Sequence, residues 1–338
     1  MSIFEEDINS IISDPMISWE RFRKCRVLVT GATGAIGKNI INVLGELNKT
    51  KKIGIEIYAL GRNIEKGNVL EQICGVKFIA VDIRANFDLP SVDYLIHCAA
   101  VTESAKMAEE PVEVINIELQ GGKNILEFAR ASKIKGMVYT SSMEVYGILD
   151  LPEVYEKDLG YIDLKNPRNS YPQSKRMMES MCNCYYSQYD VPVNITRLGM
   201  TFGAGMDYMN DKRIWAQFAR CAKNGFPIVL RTTGESLTSS VYISDAIRGI
   251  FLALLDEKHG ETYNVASVNL KIKDFADCIA RKFELEMKIS PTNTGKYASE
   301  FKLPLNSDKI RSIGWKPVVT QIEDMFERML YNSKTVNI

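Results

Sequence analysis

The 338-residue sequence has only two histidines, His97 and His259, and no Cys-x-x-Cys pair among its seven cysteines. The donors from which zinc sites are usually assembled are therefore scarce, and no metal is expected. An odd cysteine number without regular spacing also argues against a disulfide framework. Cys182 and Cys184 read as helix packing, and His97, ending the apolar stretch "VDYLIHCAA", as structural. Net charge is absent too: 42 basic residues balance 42 acidic ones, leaving no field to draw the chain to nucleic acid or an anionic membrane. Any phosphate must be held by local geometry. No apolar run approaches the ~18 residues that span a bilayer. The opening "MSIFEEDINSI" is acidic where a secretory signal is basic. A cytoplasmic protein is expected, with no membrane partner.

What remains is an ordinary globular composition, 46% apolar and 25% charged, long enough for a large α/β domain with an appended lobe. "RVLVT" (26–30) reads as a buried strand running straight into glycines. Strand and helix signals then alternate: helix near 35–48, strands at 55–60, 77–81 and 92–97, helix about 111–132, strand 136–141, helix about 170–188, strand 191–197. Such alternation predicts a doubly wound parallel sheet with helices on both faces. Beyond 198 the pattern loosens, with helices near 212–224, 271–284 and 319–331 and a late strand at 263–267. Residues 1–24 read as an N-terminal helical cap.

"VLVTGATGAIGKNIINVL" places Gly31, Gly34 and Gly37 directly after a strand and into a helix. The first glycine permits a tight turn, the second lets backbone approach a pyrophosphate, and the third lets helix pack on strand. The helix N-terminus offers its free N–H groups to the anion. Thr33, Ala35 and Ile36 complete this cofactor-binding loop. The loop, followed by "VDI" (81–83), "HCAA" (97–100), "TSSMEVYG" (140–147), "SYPQSK" (170–175) and "LPLNSDKIRSIGWKP" (303–317), resembles the extended short-chain dehydrogenases/reductases of the nucleotide-sugar epimerase/dehydratase branch.

The resemblance runs from about 25 to 317. It implies a Rossmann-like NAD(P)-binding domain over 25–197, rejoined at about 240–267, and an interleaved smaller substrate lobe over 198–239 and 268–338. Asp82 and Ile83 would lie on the adenine side, and Ala99 and Ala100 on the ribose side. At the end of the second strand "ALGRN" offers Gly61 and Arg62 instead of an acidic ribose ligand. A guanidinium suits a 2′-phosphate, so NADP is favoured over NAD.

Tyr-x-x-x-Lys occurs three times, at Tyr161 to Lys165, Tyr171 to Lys175 and Tyr208 to Lys212. Tyr161 is followed by the helix-breaking proline of "NPRN", and Tyr208 lies in a glycine-bearing loop. Only Tyr171 opens a helix, with Asn169 or Ser170 as cap and Pro172 in the first turn. Tyr171 and Lys175 then share a helical face, where an ammonium and an oxidised nicotinamide favour phenolate. The phenol could take a sugar hydroxyl's proton as hydride leaves the carbon and return it in the reverse step. The resemblance gives Ser142 a hydrogen bond to the reacting oxygen and Lys175 the nicotinamide ribose.

The departures lie on the substrate side. Glu144 could act as a base or merely order its loop, but Met143 cannot donate a proton to a leaving hydroxyl. Met200 and Thr238 stand where the branch usually has asparagine and arginine for substrate diphosphate, leaving Arg231, Arg213, Lys212 or backbone groups to replace them. Glu118 stands where asparagine is common. The resemblance implies a homodimer built on helices 111–132 and 170–188, with Met177, Met178 and Met181 supplying apolar contact there or packing on the chain's own sheet. The residues specify hydride chemistry on an alcohol, and with the resemblance they favour an epimerase oxidising a nucleotide-activated sugar at C4 to a bound ketone and re-reducing it. An NADPH-dependent 4-keto-sugar reductase and a 4,6-dehydratase are the enzyme alternatives, and an NAD(P)-sensing binding module the non-enzyme one.

Overall fold

The structure is a computed structural model that describes residues 1–291 and 301–332. Parts of the expected second lobe, 292–300 and 333–338, lie outside the described residues. Among the described residues there are twelve strands: β1 (Arg26–Thr30), β2 (Glu56–Gly61), β3 (Lys77–Ala80), β4 (Tyr94–His97), β5 (Gly136–Ser142), β6 (Val193–Leu198), β7 (Met200–Phe202), β8 (Ile228–Leu230), β9 (Leu237–Tyr242), β10 (Thr262–Val265), β11 (Val268–Lys271) and β12 (Met287–Ile289). Seven form one sheet in the order β10-β6-β5-β4-β1-β2-β3. Every pairing in it is parallel. The strand order reverses between β1 and β4, which opens a crevice beyond their C-terminal ends.

Successive residues of β1 explain the layering, because alternate side chains leave a strand on opposite faces. Leu28 joins Leu95, Met137, Tyr139 and Ile195 under Ile125 and Leu126 of the helix Gly122–Ser132 and Met178 and Cys182 of the helix Ser170–Tyr189. Val27 and Val29 face the other way, onto Ile40, Ile41 and Leu44 of the helix Ala35–Lys51 and Ile247 and Ile250 of the helix Ile243–Leu255. Burial of this kind stabilises by about 1.5–3 kcal/mol per large apolar side chain.

Two features differ from the sequence expectation. All thirteen residues of Ile243–Leu255 are buried, so the helix turns no face to solvent; its polar residues Ser244, Asp245 and Arg248 are confined to its first half, and the stretch 249–255 is apolar throughout with no period to read. The helix expected over 111–132 is interrupted: Pro111–Asn116 passes through a π-helical turn, Ile117–Gly121, into Gly122–Ser132. Close approach accounts for the two glycines there. A Cβ on Gly121 would lie 2.5 Å from Ile83 Cδ1, and one on Gly122 2.3 Å from Met178 Sδ.

The N-terminal segment folds as the helix Ile3–Ile12, closed by a Ser2–Glu5 capping box, and the 3₁₀ turn Trp19–Phe22. Ile8, Ile11, Trp19 and Phe22 enter the main core, with Trp19 edge-on to Phe251 at 4.9 Å. Buried Asp7 accepts hydrogen bonds from the Tyr242 hydroxyl and the Arg328 guanidinium, both at 2.7 Å. Outside the seven-stranded sheet, the C-terminal part of the chain forms two smaller ones, β11-β9-β7 and β12-β8. Its return segment is anchored on Asp245, whose carboxylate accepts the backbone N–H groups of Val318 and Val319 at 2.9 Å. No helix among the described residues is long and apolar enough to cross a membrane.

Sheet and helix Ser170–Tyr189 are joined by a buried ion pair. Arg197 Nη2 lies 2.7 Å from Glu179 Oε2, and Ser141 Oγ donates to Glu179 Oε1 at 2.5 Å. Breaking such a pair from one side strands a charge in the core. Glu179→Ala is expected to lower unfolding free energy by about 3–5 kcal/mol, measured by chemical denaturation; a loss within the noise would show that Arg197 is solvated in the folded protein.

Candidate active site

The glycine loop sits at the switch point between β1 and β4. Gly31 has φ +65°, and a Cβ there would stand 2.7 Å from the backbone nitrogen of Ala99. Neither the turn nor the approach to the β4 end accommodates a side chain. A Cβ on Gly37 would lie 2.4 Å from the Gly31 carbonyl oxygen, so the helix Ala35–Lys51 begins flush against the loop. Gly34 caps that helix with no side chain bonded to its first N–H groups. These donors are available to an anion. Thr33, Ala35 and Ile36 line the same turn, partly exposed, and the Ala32 N–H ties it to Leu60 of β2 at 3.0 Å.

Around the loop stand the other residues expected to hold the dinucleotide. Ala99 and Ala100 are partly exposed beyond β4, and Arg62 is exposed beyond β2. Asp82 is not free: Arg84 reaches its Oδ1 at 2.9 Å and its Oδ2 at 2.7 Å, and itself pairs with Glu113 at 2.7 Å. That guanidinium, with Arg62 further off, holds the Asp82 carboxyl down to about 2. Ile83 turns inward against Gly121, and its carbonyl accepts Asn124 Nδ2 at 3.0 Å. His97 Nδ1 lies 2.6 Å from Thr30 Oγ1, joining β4 to β1 under the crevice. Burial pushes His97 down to about 3, so its ring is neutral at physiological pH.

The reactive cluster lies one strand over, at the end of β5. Ser170–Tyr189 begins as a helix one residue before Tyr171. Asn169 occupies the cap position, but its side chain donates to the Asp163 carbonyl at 2.8 Å instead of capping the helix. Tyr171 is 7% exposed and Lys175 2%. Tyr161 lies in an isolated bridge to Ile148, and Tyr208 in a loop, so neither shares a helix with its lysine. Ser142 Oγ accepts the Glu144 N–H at 3.2 Å, and its hydroxyl acts to lower the Tyr171 phenol. Lys175 Nζ donates to the Thr140 carbonyl at 2.9 Å and sits 3.1 Å from the buried Glu118 carboxylate. Burial raises the Tyr171 phenol, the Glu144 and Glu118 charges raise it further, and Ser142 and Arg168 oppose them.

Two arginines that the sequence did not single out, and the partner of a carboxylate that it did, complete the site. Arg168, in the 3₁₀ turn Pro167–Asn169, holds Glu144 with both guanidinium arms, at 2.5 and 3.0 Å. Arg176, next to Lys175, donates to the Val145, Tyr146 and Gly160 carbonyls at 2.6, 3.2 and 2.7 Å, clamping the loop that follows Ser142. Glu118 pairs with Lys175. In sequence "NPRN" reads only as a helix breaker; an arginine three residues before the helical tyrosine was the available signal for Arg168.

The substrate-side candidates divide. Met143 packs on Val145, Val154, Leu303 and Leu305, and Thr238, 2% exposed on β9, places its Oγ1 3.9 Å from Met143 Sδ. Met200, on β7, pairs across from Ser240. Arg231 is exposed beyond β8, and Arg213 is drawn back onto Asp211 at 2.6 Å.

This geometry has a known counterpart: residues 27–266 match the NAD dependent epimerase/dehydratase family. The chain belongs to that family. As an epimerase/dehydratase enzyme it is 24% identical over 314 residues to the dTDP-D-glucose 4,6-dehydratase of Bos taurus, covering 87% of this chain and 84% of the relative. It is 26% identical over 321 residues to the UDP-glucuronic acid decarboxylase 1 of Xenopus tropicalis, covering 93% and 73%. Among solved structures, the UDP-glucuronic acid 4-epimerase of Bacillus cereus, in complex with UDP-glucuronic acid and NAD, superposes with a TM-score of 0.76 at 21% identity, covering 91% of this chain and 99% of that one. The glycine cradle, the uncapped helix start and the open switch point fit the nicotinamide dinucleotide that this family carries.

Proposed function

We propose that the protein is a nucleotide-sugar epimerase that oxidises its sugar transiently, at C4, to a bound ketone and re-reduces it on the other face. One observation carries this reading: Lys175 Nζ stands 5.8 Å from the Tyr171 ring centroid and is bonded to Thr140 of β5, the strand that Ser142 ends, while position 143 is methionine and Glu144 is closed by Arg168. Removal and return of hydride has its residues there; elimination of water lacks a proton donor. The dinucleotide, held by Gly31, Gly34, Gly37, Ala99 and Lys175, supplies reversible hydride acceptance. Ser142 holds the reacting oxygen, and Tyr171 takes up the hydroxyl proton as the carbon–hydrogen bond breaks and returns it on reduction.

The Arg168–Glu144 pair favours a second reading, decarboxylation of a uronic acid. A sugar carboxylate could take the guanidinium in exchange for Glu144, since Arg recognises planar anions with both arms. Oxidation at C4 would make it a β-keto acid, which loses carbon dioxide without a dedicated acid.

The finer assignments follow from the same surfaces. Arg62, exposed at the end of β2 where no carboxylate stands, supports NADP over NAD. Val112, Ile115 and Met177, 67%, 38% and 51% exposed on adjoining helices, support a homodimer. Met178 is fully buried in the chain's own core and Met181 packs beside it, so Met177 alone of the three methionines is free for a partner. The lack of net charge and of an apolar span supports a cytoplasmic setting.

Purified protein incubated with UDP-, dTDP-, GDP- and CDP-sugars, with products identified by mass and NMR, is expected to give an isomer of unchanged mass and no net reduced cofactor. A pentose product with carbon dioxide would select the second reading, and a 4-keto-6-deoxy product would overturn both. Tyr171→Phe is expected to abolish turnover while leaving dinucleotide binding intact; an active variant removes Tyr171 from the mechanism. Calorimetric titration is expected to give tighter binding of NADP than NAD, with the preference reversed in Arg62→Ala; equal affinities would dismiss Arg62. Sedimentation at micromolar concentration should give a dimer, and a monomer defeats that assignment.

A further inference from the structure

The substitution at Glu118 reaches the reactive cluster directly. Glu118 lies in the π-helical turn Ile117–Gly121 and is 1% exposed. Its Oε1 stands 3.1 Å from Lys175 Nζ and accepts a short hydrogen bond from the Tyr139 hydroxyl. Lys175, 2% exposed, lies over the Tyr139 ring at 4.6 Å and 5.8 Å from the Tyr171 ring centroid. Two of its three N–H donors are committed, to Glu118 and to the Thr140 carbonyl. An asparagine at 118 would leave a bare ammonium beside the phenol. A carboxylate instead makes a neutral ion pair whose field at the phenol is that of a short dipole and falls off faster than a single charge.

We infer that Glu118 is a positioning residue that seats Lys175 and cancels most of its pull on the Tyr171 proton, so that phenolate forms only when the positive charge of an oxidised nicotinamide is also present. The inference rests on Tyr171 being the base of the proposed reaction. It ties base activation to cofactor occupancy: the protein without dinucleotide keeps a protonated, inert phenol.

Every other charged or titratable group facing the pair agrees with this balance or leaves it unchanged. Toward Tyr171, Glu144 from the loop after β5 opposes phenolate, while Arg168 from the turn before the helix and the Ser142 hydroxyl favour it. Toward Glu118 and Tyr139 stand Glu179 and Cys182, from the same helix as Lys175. Burial keeps the Cys182 thiol protonated, and Glu179 is already paired with Arg197. From β4, His97 is held neutral by burial, and immediately after that strand burial pushes the Cys98 thiol, which also faces Lys175, up to about 12.

The test is a pH titration of protein labelled with ¹³Cζ-tyrosine, the Tyr171 resonance being assigned by its loss in Tyr171→Phe. In the wild-type protein without dinucleotide, Tyr171 is expected to stay protonated to about pH 10, and oxidised dinucleotide is expected to bring its midpoint down by more than about one unit. In Glu118→Gln, which keeps a carbonyl oxygen for both donors, the midpoint without dinucleotide is expected to fall by about one unit or more. The acid limb of kcat, measured on the sugar nucleotide that the panel identifies, should move with it. Glu118→Asn provides the same readout if the glutamine variant does not fold, and the wild-type titration stands if neither does. A wild-type phenol that titrates near neutrality without dinucleotide, or midpoints unmoved in folded Gln and Asn variants, overturns the role of Glu118. Such a failure beside an inactive Tyr171→Phe leaves the proposed reaction intact, whereas an active Tyr171→Phe sinks the reaction and not the measured midpoints.

Discussion

The seat of the helix Ser170–Tyr189 on the sheet is the constraint on which the active site depends. Apolar contacts through Met178 and Cys182 bring the helix down, but polar groups fix its rotation and height. Lys175 reaches the Thr140 carbonyl, Arg176 reaches three carbonyls around the 142–147 loop, and Glu179 holds Arg197 of β6. Hydrophobic burial is non-directional and would tolerate a slide along the groove. Hydrogen bonds with fixed partners would not. Tyr171 is placed, one turn earlier on the same helix, by this set of contacts.

The same helix explains why charge is distributed as it is around the phenol. Four ionised groups surround one neutral hydroxyl: Glu118 and Lys175 on one side, Glu144 and Arg168 on the other. Each carboxylate is matched by a cation, so the cluster is close to neutral as a whole. Left unpaired, Lys175 or Glu118, 2% and 1% exposed, would cost several kcal/mol in desolvation, whereas Arg168 and Glu144 keep about a third of their surface in water. Pairing makes the burial tolerable, and it leaves a site whose electrostatic state is set by whatever charged ligand enters.

Much of this arrangement was legible in the sequence, for reasons that can be named. The parallel sheet follows from alternating strand and helix signals, and β1, β2, β5 and the helices Ala35–Lys51 and Ser170–Tyr189 lie within a few residues of where periodicity puts them. The glycine loop is readable because its residue types answer to backbone geometry. Tyr171 is distinguished from Tyr161 and Tyr208 by the local chemistry of helix starts. The helix Ile243–Leu255 was not readable, since its polar residues are few and buried in its first half and the apolar run 249–255 that follows carries no period. The closing of Glu144 by Arg168 and of Glu118 by Lys175 was hidden as well, because both pairs join residues 24 or more positions apart through tertiary approach alone. Side-chain reach across elements has no signature in a linear pattern.

The path of the C-terminal segment bears on how the molecule could be dissected. Residues 301–319 leave the smaller sheets, pair beside Leu237 and Val154, set the Trp315 indole against the Asp245 carbonyl at 2.8 Å, and hand the chain on to Ile322–Asn332, which Arg328 fastens to Asp7 near the start of the sequence. The seven-stranded sheet with its helices and the smaller sheets are thus laced together by one strap, whose removal would take partners from the buried carboxylates of Asp7 and Asp245 at once. Expressing either part as a free-standing fragment would expose that lacing to water, so transplanting the smaller sheets means transplanting the strap with them.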